Sequence, residues 1–432
     1  MNANIPDGNS SSFHMDSVNE SFSLYEGLIS IQPENGLHFE GQGRVYWSWL
    51  PRPNILFECT VKEIPPFHFV SGKYVIHLPG IGVDTEGFTT HQSTSEYGVL
   101  MRGTLTSGVQ KLDGRIGRVR FHVANLNEYV GVWIKHSERD GGYAGRLTLK
   151  DDPWLITIDN LVDNKPKQGG LSEYAGGYFI THVGVIERID GDYFKLSDVQ
   201  ELLDKIRLFF GFVEARHCPP LLCVGEAETG DIVSYDYKAI TVSSFRSRSN
   251  WCAPMLRFES LITVWDGFDK LKVLFGNLLT VLISYLVTAN AQADQSQRII
   301  FAATILEMLF WKMVNKDGTL VDADKLRLSD KIRLLLILSD VTRDIPNDFT
   351  KLAAAAKEKG HIWVDGPHAI ADIRNSFTHA RNMESVLDYD ALFVHQSVEL
   401  ALWYAETALL KYIGVTEDID WRIKRNARLG EN

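Results

Sequence analysis

Arg374 and His379 are the residues of this chain whose types and spacing most strongly suggest chemistry. They lie five positions apart in the stretch IRNSFTHARN, and Asn375 directly follows the arginine. An imidazole with a pKa near neutrality can accept the proton of a ribose 2′-OH, and a guanidinium can bind the neighbouring phosphate and stabilise its developing charge. These residue types therefore predict RNA strand cleavage without a metal, because only RNA supplies that internal nucleophile.

A helix through this stretch would sort its residues onto two faces, at about 100° per residue. The apolar face consists of Ile370, Ile373, Phe377 and Ala380, and the polar face of Asp372, Asn375, His379 and Asn382. Arg374 starts about 140° from His379 on an ideal helix, so its side chain has to bend over Asn375 to reach the same cleft. The leaving 5′-oxygen also needs a proton donor, which the His379 of a second copy would supply in a symmetric dimer.

The alternative interpretation is an ordinary solvated helix face, because an arginine followed five positions later by a histidine occurs about once by chance in a chain of this size. Arg374 is then at most a phosphate contact, in a non-catalytic module that binds RNA, a nucleotide or a protein partner. A third alternative is a sugar-binding β domain fused to a scaffold bundle.

The overall charge restricts where nucleic acid can bind. The chain has 432 residues and a formal net charge of −11, whereas broad adhesion to nucleic acid depends on lysine and arginine at the phosphates. Residues 416–432 nevertheless form a basic C-terminal tail. Its candidate RNA contacts are Arg422, Lys424, Arg425 and Arg428. A solvated tail is the alternative.

The period of hydrophobicity changes along the chain and predicts an α+β protein. Residues 21–245 contain short alternating or apolar runs between turn residues, typical of an antiparallel sandwich or barrel, and one helix at ELLDKIRLFFGF behind a capping-box sequence from Ser197 to Gln200. Residues 246–415 predict an all-α bundle. Its predicted helices cover about residues 256–291, 296–315, 323–341, 347–359, 366–383 and 386–413.

Trp47 and Trp49 alternate onto one side of a strand, where we expect core packing rather than stacking on bases or sugars.

Three further segments bear on location and cofactors. Residues 1–20 have neither a basic nor an apolar leader region, so we expect a flexible tail and a cytoplasmic protein. The uncharged stretch from Val273 to Ala293 is long enough to cross a bilayer, but its polar residues favour a buried helix and no membrane contact. The four cysteines lack paired CxxC spacing; a zinc site would require the fold to gather HCPPLLC with Cys252, and we expect buried thiols and no cofactor or metal.

Two resemblances add to this interpretation. IRNSFTHARN followed by LFVHQSVELALWYAETALL resembles the R-x-x-x-x-H motif and last helix of HEPN domains, and RIIFAATILEMLFWKM is similar to the helix of such domains that carries an acidic residue, here Glu307. YFITHVGVIERIDGDYFKLSDVQELLDKIRLFFGFVEA resembles the N-terminal domain of the ApeA family of anti-phage HEPN proteins. Together the resemblances cover roughly residues 35–415.

This resemblance implies a metal-independent endoribonuclease that cleaves host RNA, such as tRNA, in abortive infection. It implies a composite site at a HEPN dimer interface, with Arg374, Asn375 and His379 as catalytic residues and Glu307 and Asp372 as accessory candidates. We expect products with a 2′,3′-cyclic phosphate and a 5′-OH, and a β-rich domain that senses a phage-derived trigger or restrains the nuclease.

Overall fold

The protein is α+β, with β-strands up to Tyr237 and, apart from one helix, α-helices from Phe258 onward. The computed structural model describes residues 5–33, 38–62, 73–136, 140–162, 165, 167, 169–171, 176–247, 249–253, 258–291, 294–316, 318–358, 363–379, 390–416 and 420–430, without the side chains of 95 and 426–430. The fold class predicted from the sequence is thereby confirmed.

By its internal contacts the chain divides into two compact units. The first comprises residues 1–207 and 218–247, and the second comprises residues 208–217 and 248–432. The dividing line passes through helix α1 (Gln200–Glu214), which we had placed wholly in the β-rich domain. Phe209, in the second half of α1, packs edge-on against Trp265 with the ring centroids 5.1 Å apart. The end of α1 therefore belongs to the helical core.

Six antiparallel strands of the first unit close into a barrel in the order β1-β2-β3-β6-β5-β4. They are β1 (Phe22–Pro33), β2 (Phe39–Ser48), β3 (Asn54–Val61), β4 (Lys73–Leu78), β5 (Val83–Ser95) and β6 (Gly98–Leu105). Every second residue of β3 is buried, as its alternating sequence predicts. Trp47 and Trp49 are fully buried, and their rings meet edge to face at 5.4 Å. The prediction that they pack in a core is confirmed.

The other eight strands form one antiparallel sheet in the order β7-β14-β13-β8-β12-β11-β10-β9. They are β7 (Val109–Lys111), β8 (Arg118–Ala124), β9 (Val132–Lys135), β10 (Gly142–Asp151), β11 (Trp154–Asn160), β12 (Ile180–Arg188), β13 (Leu221–Glu226) and β14 (Ile232–Tyr237). Between β12 and β13, a 3₁₀ turn at Leu196–Val199 leads into α1, and Asp198 accepts a 2.9 Å hydrogen bond from the backbone N–H of Lys195. The cap therefore starts before the predicted Ser197.

The residues before β1 do not form the flexible tail that we expected. The backbone N–H of Asn9 donates to Asp159 at 2.7 Å, and that of Ser12 donates to Nε2 of His122 at 3.2 Å. Met15 is only 3% exposed. Residues 5–20 are therefore packed on the β-rich unit, because their backbone donors and apolar side chains find partners there.

The second unit is a helical bundle built around α8. Its helices are α2 (Phe258–Phe275), α3 (Leu278–Asn290), α4 (Gln295–Leu309), α5 (Leu328–Leu338), α6 (Thr350–Glu358), α7 (Gly366–Thr378), α8 (Ala391–Ile413) and α9 (Trp421–Gly430). Helix α8 contacts each of the other seven helices and is buried over nearly its whole length. Such a helix must be apolar almost all round, as its sequence is.

The uncharged stretch that we tested for membrane insertion is broken in the structure. Helices α2 and α3 meet at an angle of 115° around Gly276, whose φ of +54° a residue with a side chain adopts at a cost. Within the part of the chain that the structure describes, no single helix is long and apolar enough to cross a membrane, although this bent pair together has the length and composition. Most of the apolar side chains of α3, such as Leu282, Ile283 and Leu286, are buried in the bundle.

Candidate functional site

Helix α7 carries the motif and is anchored firmly at its start. Asp365 caps the helix by accepting the backbone N–H of His368 at 3.0 Å, and both of its oxygens also accept from Arg333, at 2.7 and 2.9 Å. At Gly366 an added Cβ would lie 2.2 Å from the hydroxyl of Tyr404 on α8, so only glycine allows this close approach. The start of α7 is thereby fixed against α5 and α8.

The inner face of α7 matches the predicted apolar stripe in part. Ile370 and Ile373 are fully buried, whereas Phe377 is only half-buried and Ala380 lies outside the described residues. Arg374 and Asn375, which flank this face, are both partly exposed. The helix therefore presents the two residues at the surface of the bundle while its other side holds the position.

Arg374 has an unusual environment for a guanidinium in this bundle. Its Nη1 donates to the side-chain oxygen of Asn375 at 3.2 Å, and its Nε is buried without a hydrogen-bond partner. None of the described carboxylates pairs with it, whereas Glu399 accepts from both Arg298 and Arg422, two arginines that are buried in this unit. Because an arginine carries five donors, Arg374 retains capacity for an anion such as phosphate.

His379 lies just beyond the helix and is exposed. The helix ends at Thr378, and the backbone N–H of His379 donates to the carbonyl of Asn375 at 3.0 Å, with an extended φ of −109° and ψ of 113°. The prediction that the helix continues past Thr378 is therefore wrong at His379, and residues 380–383, including the predicted polar residue Asn382, lie outside the described residues.

Two hydroxyl groups in the last turn provide a physical reason for the early end of α7. Thr378 donates its hydroxyl to the carbonyl of Arg374 at 3.1 Å, and Ser376 donates to the carbonyl of Asp372 at 3.2 Å. Such local bonds compete with and bend the helical ladder. The angle of about 140° between Arg374 and His379 assumed a continuous helix, and it does not apply to a histidine in extended conformation.

Asp372 has a structural partner. It accepts a 2.9 Å hydrogen bond from Nε1 of Trp363, and the Trp363 ring stacks on Phe393 with centroids 5.7 Å apart and planes 13° apart. Since Phe393 is in the first turn of α8, this bridge holds the last turns of α7 beside the start of α8. Asp372 is an exposed positioning residue in this arrangement.

Glu307 also has a partner of its own. Its carboxylate lies 2.5 Å from Nζ of Lys331, a lysine that is 8% exposed and lies 5.0 Å above the ring of Trp311. This ion pair joins α4 to α5 and accounts for a glutamate at this position. Among the described contacts of Glu307, none reaches Arg374 or His379.

The basic C-terminal segment is different from the solvated tail that we expected. Its residues 421–430 form α9, and Arg422 is fully buried with its donors directed at Glu399, Glu406 and Asn290. The assignment of Arg422 as an RNA contact is therefore wrong, since its guanidinium is used inside the bundle. Arg425 also donates a hydrogen bond to Glu399, and its side chain is 19% exposed. Lys424 is exposed, and the side chain of Arg428 lies outside those that the structure describes.

The sequence pattern did not lead us to predict the buried carboxylates that hold this segment. Glu399 and Glu406 are seven positions apart on α8, which places them on one face of a helix that is otherwise apolar. Burial raises the pKa of Glu406, whereas at Glu399 the surrounding arginines outweigh burial and lower the pKa. A pair of carboxylates at this spacing in an apolar helix was the available signal that buried cations must meet it.

Among the residues that the structure describes, there is no cluster of side chains that could bind a metal ion. No group of three or more histidine, cysteine, aspartate or glutamate side chains lies where it could hold one ion. Cys59, Cys218, Cys223 and Cys252 are all buried as thiols.

Comparison with known proteins relates both parts of the chain to one kind of protein. Residues 112–248 match the family model of the YopA central domain, and residues 274–431 match that of the YopA C-terminal domain. The chain is 25% identical over 422 residues to the SPbeta prophage-derived uncharacterized protein YopA of Bacillus subtilis (strain 168), covering 94% of this chain and 92% of that protein. No solved structure matches the chain.

Proposed function

We propose that this protein is a metal-independent RNA endonuclease of the HEPN type, with its active centre at the end of α7. His379 removes the proton from a ribose 2′-OH, and the 2′-oxygen attacks the adjacent phosphorus. Arg374 binds the phosphate and stabilises the charge that develops, while Asn375 orients the guanidinium. The bond from phosphorus to the 5′-oxygen breaks, which leaves a 2′,3′-cyclic phosphate and a 5′-OH.

The observation that carries this proposal is the unsatisfied guanidinium of Arg374 in the last turns of α7, with an exposed histidine directly after the helix. Its buried Nε has no acceptor, its Nη1 is held by Asn375, and His379 follows five positions later, just beyond the helix, and is exposed to solvent. A buried donor without an acceptor costs free energy, so such a group is retained more readily where a ligand completes it. A phosphodiester fits this need because its oxygens accept bidentate hydrogen bonds from arginine.

The second proton transfer requires a group to protonate the 5′-oxygen, and a homodimer provides it. In a symmetric dimer across the end of α7, the His379 of one copy acts as base and that of the other as acid. We propose tRNA or other host RNA as the substrate, cytoplasm as the location and restraint by the β-rich unit until a phage-derived trigger acts. The prophage origin of the Bacillus subtilis relative fits a role in competition between phages.

A non-catalytic function remains a second candidate, because the same open guanidinium suits a phosphate contact without any reaction. In that case the bundle binds RNA or a nucleotide through Arg374, and His379 is an exposed residue at a helix end. The two candidates differ in what His379→Ala does. If His379 transfers protons, the substitution abolishes cleavage and preserves RNA binding. If His379 does not transfer protons, the substitution changes neither the kind nor the number of RNA ends.

The test uses purified full-length protein and end-labelled total tRNA in EDTA, with product ends resolved on a gel. Arg374→Ala and His379→Ala are compared with two matched controls, Arg327→Ala, an exposed arginine of the same bundle, and His368→Ala, a histidine in the first turn of α7. The proposal expects discrete cuts from wild type and both controls and none from the two motif variants. RNA binding, measured by fluorescence anisotropy, should persist in His379→Ala.

A further inference from the structure

A buried cluster of arginines surrounds Glu399 in the interior of the bundle. Arg298 on α4 donates to Glu399 Oε1 at 2.9 Å, and Arg422 on α9 donates to Oε2 at 2.5 Å. Arg425, also on α9, donates to the same Oε2. Three guanidinium groups thus converge on one fully buried carboxylate.

The positive charge in this cluster exceeds the negative charge. The remaining carboxylate, Glu406, is taken by Arg422, whose Nε and Nη2 lie 2.9 and 2.7 Å from its oxygens. Among the described residues of the cluster, three arginines therefore face two glutamates, which leaves one positive charge without a counterion. Taking such a charge out of water is costly unless an anion accompanies it.

The uncompensated charge is located at Arg425. Arg298 is satisfied further by the carbonyl of Ala289 at 2.7 Å and by the side chain of Gln295 at 3.1 Å. Arg425 has Glu399 as its described acceptor, its Nε is buried without a hydrogen-bond partner, and its side chain is still 19% exposed. It is therefore both the least satisfied arginine of the cluster and the most accessible to a solute.

His395 adds a second donor to this cluster, near enough to Arg425 for an electrostatic interaction. It lies one turn before Glu399 on α8 and is half-buried, and its Nδ1 is 3.4 Å from Nη1 of Arg298. Because an arginine can only donate, Nδ1 acts as the acceptor, and in the neutral ring the proton then sits on Nε2. Burial lowers the pKa of His395, which favours this neutral form. The ring can thus donate one hydrogen bond to an anion without adding a further charge.

We propose that Arg425 and His395 form a binding site for a phosphate group, supplied either as free phosphate or as a phosphodiester of RNA. The phosphate balances the excess charge of the cluster and accepts from the Arg425 guanidinium, whose side chain is partly exposed to solvent. His395 is two residues from Phe393, which the Trp363 bridge connects to Asp372 on α7. This site therefore lies toward the same end of the bundle as the motif of α7 and is separate from it.

The test is the affinity of the full-length chain for inorganic phosphate, measured by calorimetric titration at constant ionic strength with chloride as the balancing anion. Wild type binds phosphate, and Arg425→Gln weakens the binding about tenfold or more, because a charge-assisted hydrogen bond is lost. Lys424→Gln, an exposed neighbour on the same helix, retains wild-type affinity. No phosphate binding by folded wild type, or equal binding by Arg425→Gln, overturns the proposal.

A second arm identifies the source of the phosphate and keeps this proposal independent of RNA cleavage. A short RNA oligonucleotide is titrated against phosphate-saturated Arg374→Ala protein, which lacks the guanidinium proposed to bind phosphate on α7 and in which cleavage is not expected. Displacement of phosphate assigns the site to a phosphodiester, and retention of phosphate assigns it to the free ion; both outcomes support the site. Arg425→Lys keeps the charge but loses the planar fork, so it should bind phosphate more weakly than wild type even when it folds normally.

Discussion

The guanidinium of Arg422 and the carboxylate of Glu399 lie 2.5 Å apart, Nη1 to Oε2, and neither side chain is exposed to solvent. This contact joins α9 to the central helix α8 across 23 positions of sequence. The last described helix is thus an integral part of the bundle. Its attachment depends on charge compensation in the interior rather than on apolar packing alone.

Substitution of Arg422 by methionine should destabilise the bundle strongly. The change leaves Glu399 and Glu406 buried with fewer partners, and breaking a buried pair in this way costs about 3–5 kcal/mol. The free energy of unfolding in denaturant measures the effect. Lys424→Met on the exposed side of α9 is the matched control and should stay within about 0.5 kcal/mol of wild type. Equal stability of both variants would show that the buried pair does not hold α9.

His122 should make the β-rich unit sensitive to acid. Burial lowers the pKa of this histidine to about 3, and its ring accepts from the backbone N–H of Ser12 while facing the carbonyl of Leu222 at 3.3 Å. The unfolded chain binds the proton near pH 6.5 and the folded chain does not, so stability is complete above that pH. It is lost at about 1.4 kcal/mol per pH unit as the pH falls toward 3.

Urea unfolding of the wild type and His122→Gln between pH 4 and 7 measures this contribution. The difference in slope between the two proteins belongs to His122, and the variant should lose stability less steeply on acidification. The exposed His14 gives the control, since His14→Gln should retain the wild-type slope. Parallel curves for wild type and His122→Gln would contradict the assignment of a buried neutral histidine.

Gly366→Ala should disturb the start of α7. The new Cβ would lie 2.2 Å from the hydroxyl of Tyr404, so the helix or the tyrosine must move, at a cost of about 1–3 kcal/mol. Tyr404→Phe removes that hydroxyl, together with its 3.0 Å bond to the carbonyl of Arg343. The loss of stability in the double variant, measured by thermal unfolding, should be smaller than the sum of the losses in Gly366→Ala and Tyr404→Phe. Strict additivity would mean that the two groups do not meet.

The four cysteines should resist thiol reagents while the chain is folded. All four are buried, and burial raises the pKa of Cys59 to about 12, so its reactive thiolate is scarce at pH 8. With a chromogenic disulfide reagent, native protein should react far more slowly than protein unfolded in guanidinium, where four thiols become available. Rapid stoichiometric labelling of the native chain would contradict their burial.

Local sequence pattern was enough to predict much of the fold. The alternation of NILFECTV predicts the burial of β3, and the large aromatics Trp47 and Trp49 predict a packed interior. Helical periodicity likewise predicts most helices of the second unit. These features depend on neighbours in sequence, which is why the sequence alone reveals them.

Features that depend on distant partners escaped prediction. Arg422 looks like a solvated residue in WRIKRNARLG, because the carboxylates that bury it lie on another helix. The early end of α7 depends on which carbonyls Ser376 and Thr378 bond, and periodicity does not encode that choice. At the candidate site, residue types identified Arg374 and His379, but the missing acceptor at Arg374 required the structure.

The most direct test of the proposed function is the chemistry of the RNA ends made in EDTA by wild type and by His379→Ala. The account predicts 2′,3′-cyclic phosphate and 5′-OH ends from wild type, and no such ends from a His379→Ala protein that is folded and still binds RNA. Failure of folded wild type to cut RNA, or the same ends at the same rate from His379→Ala, would contradict catalysis at the end of α7.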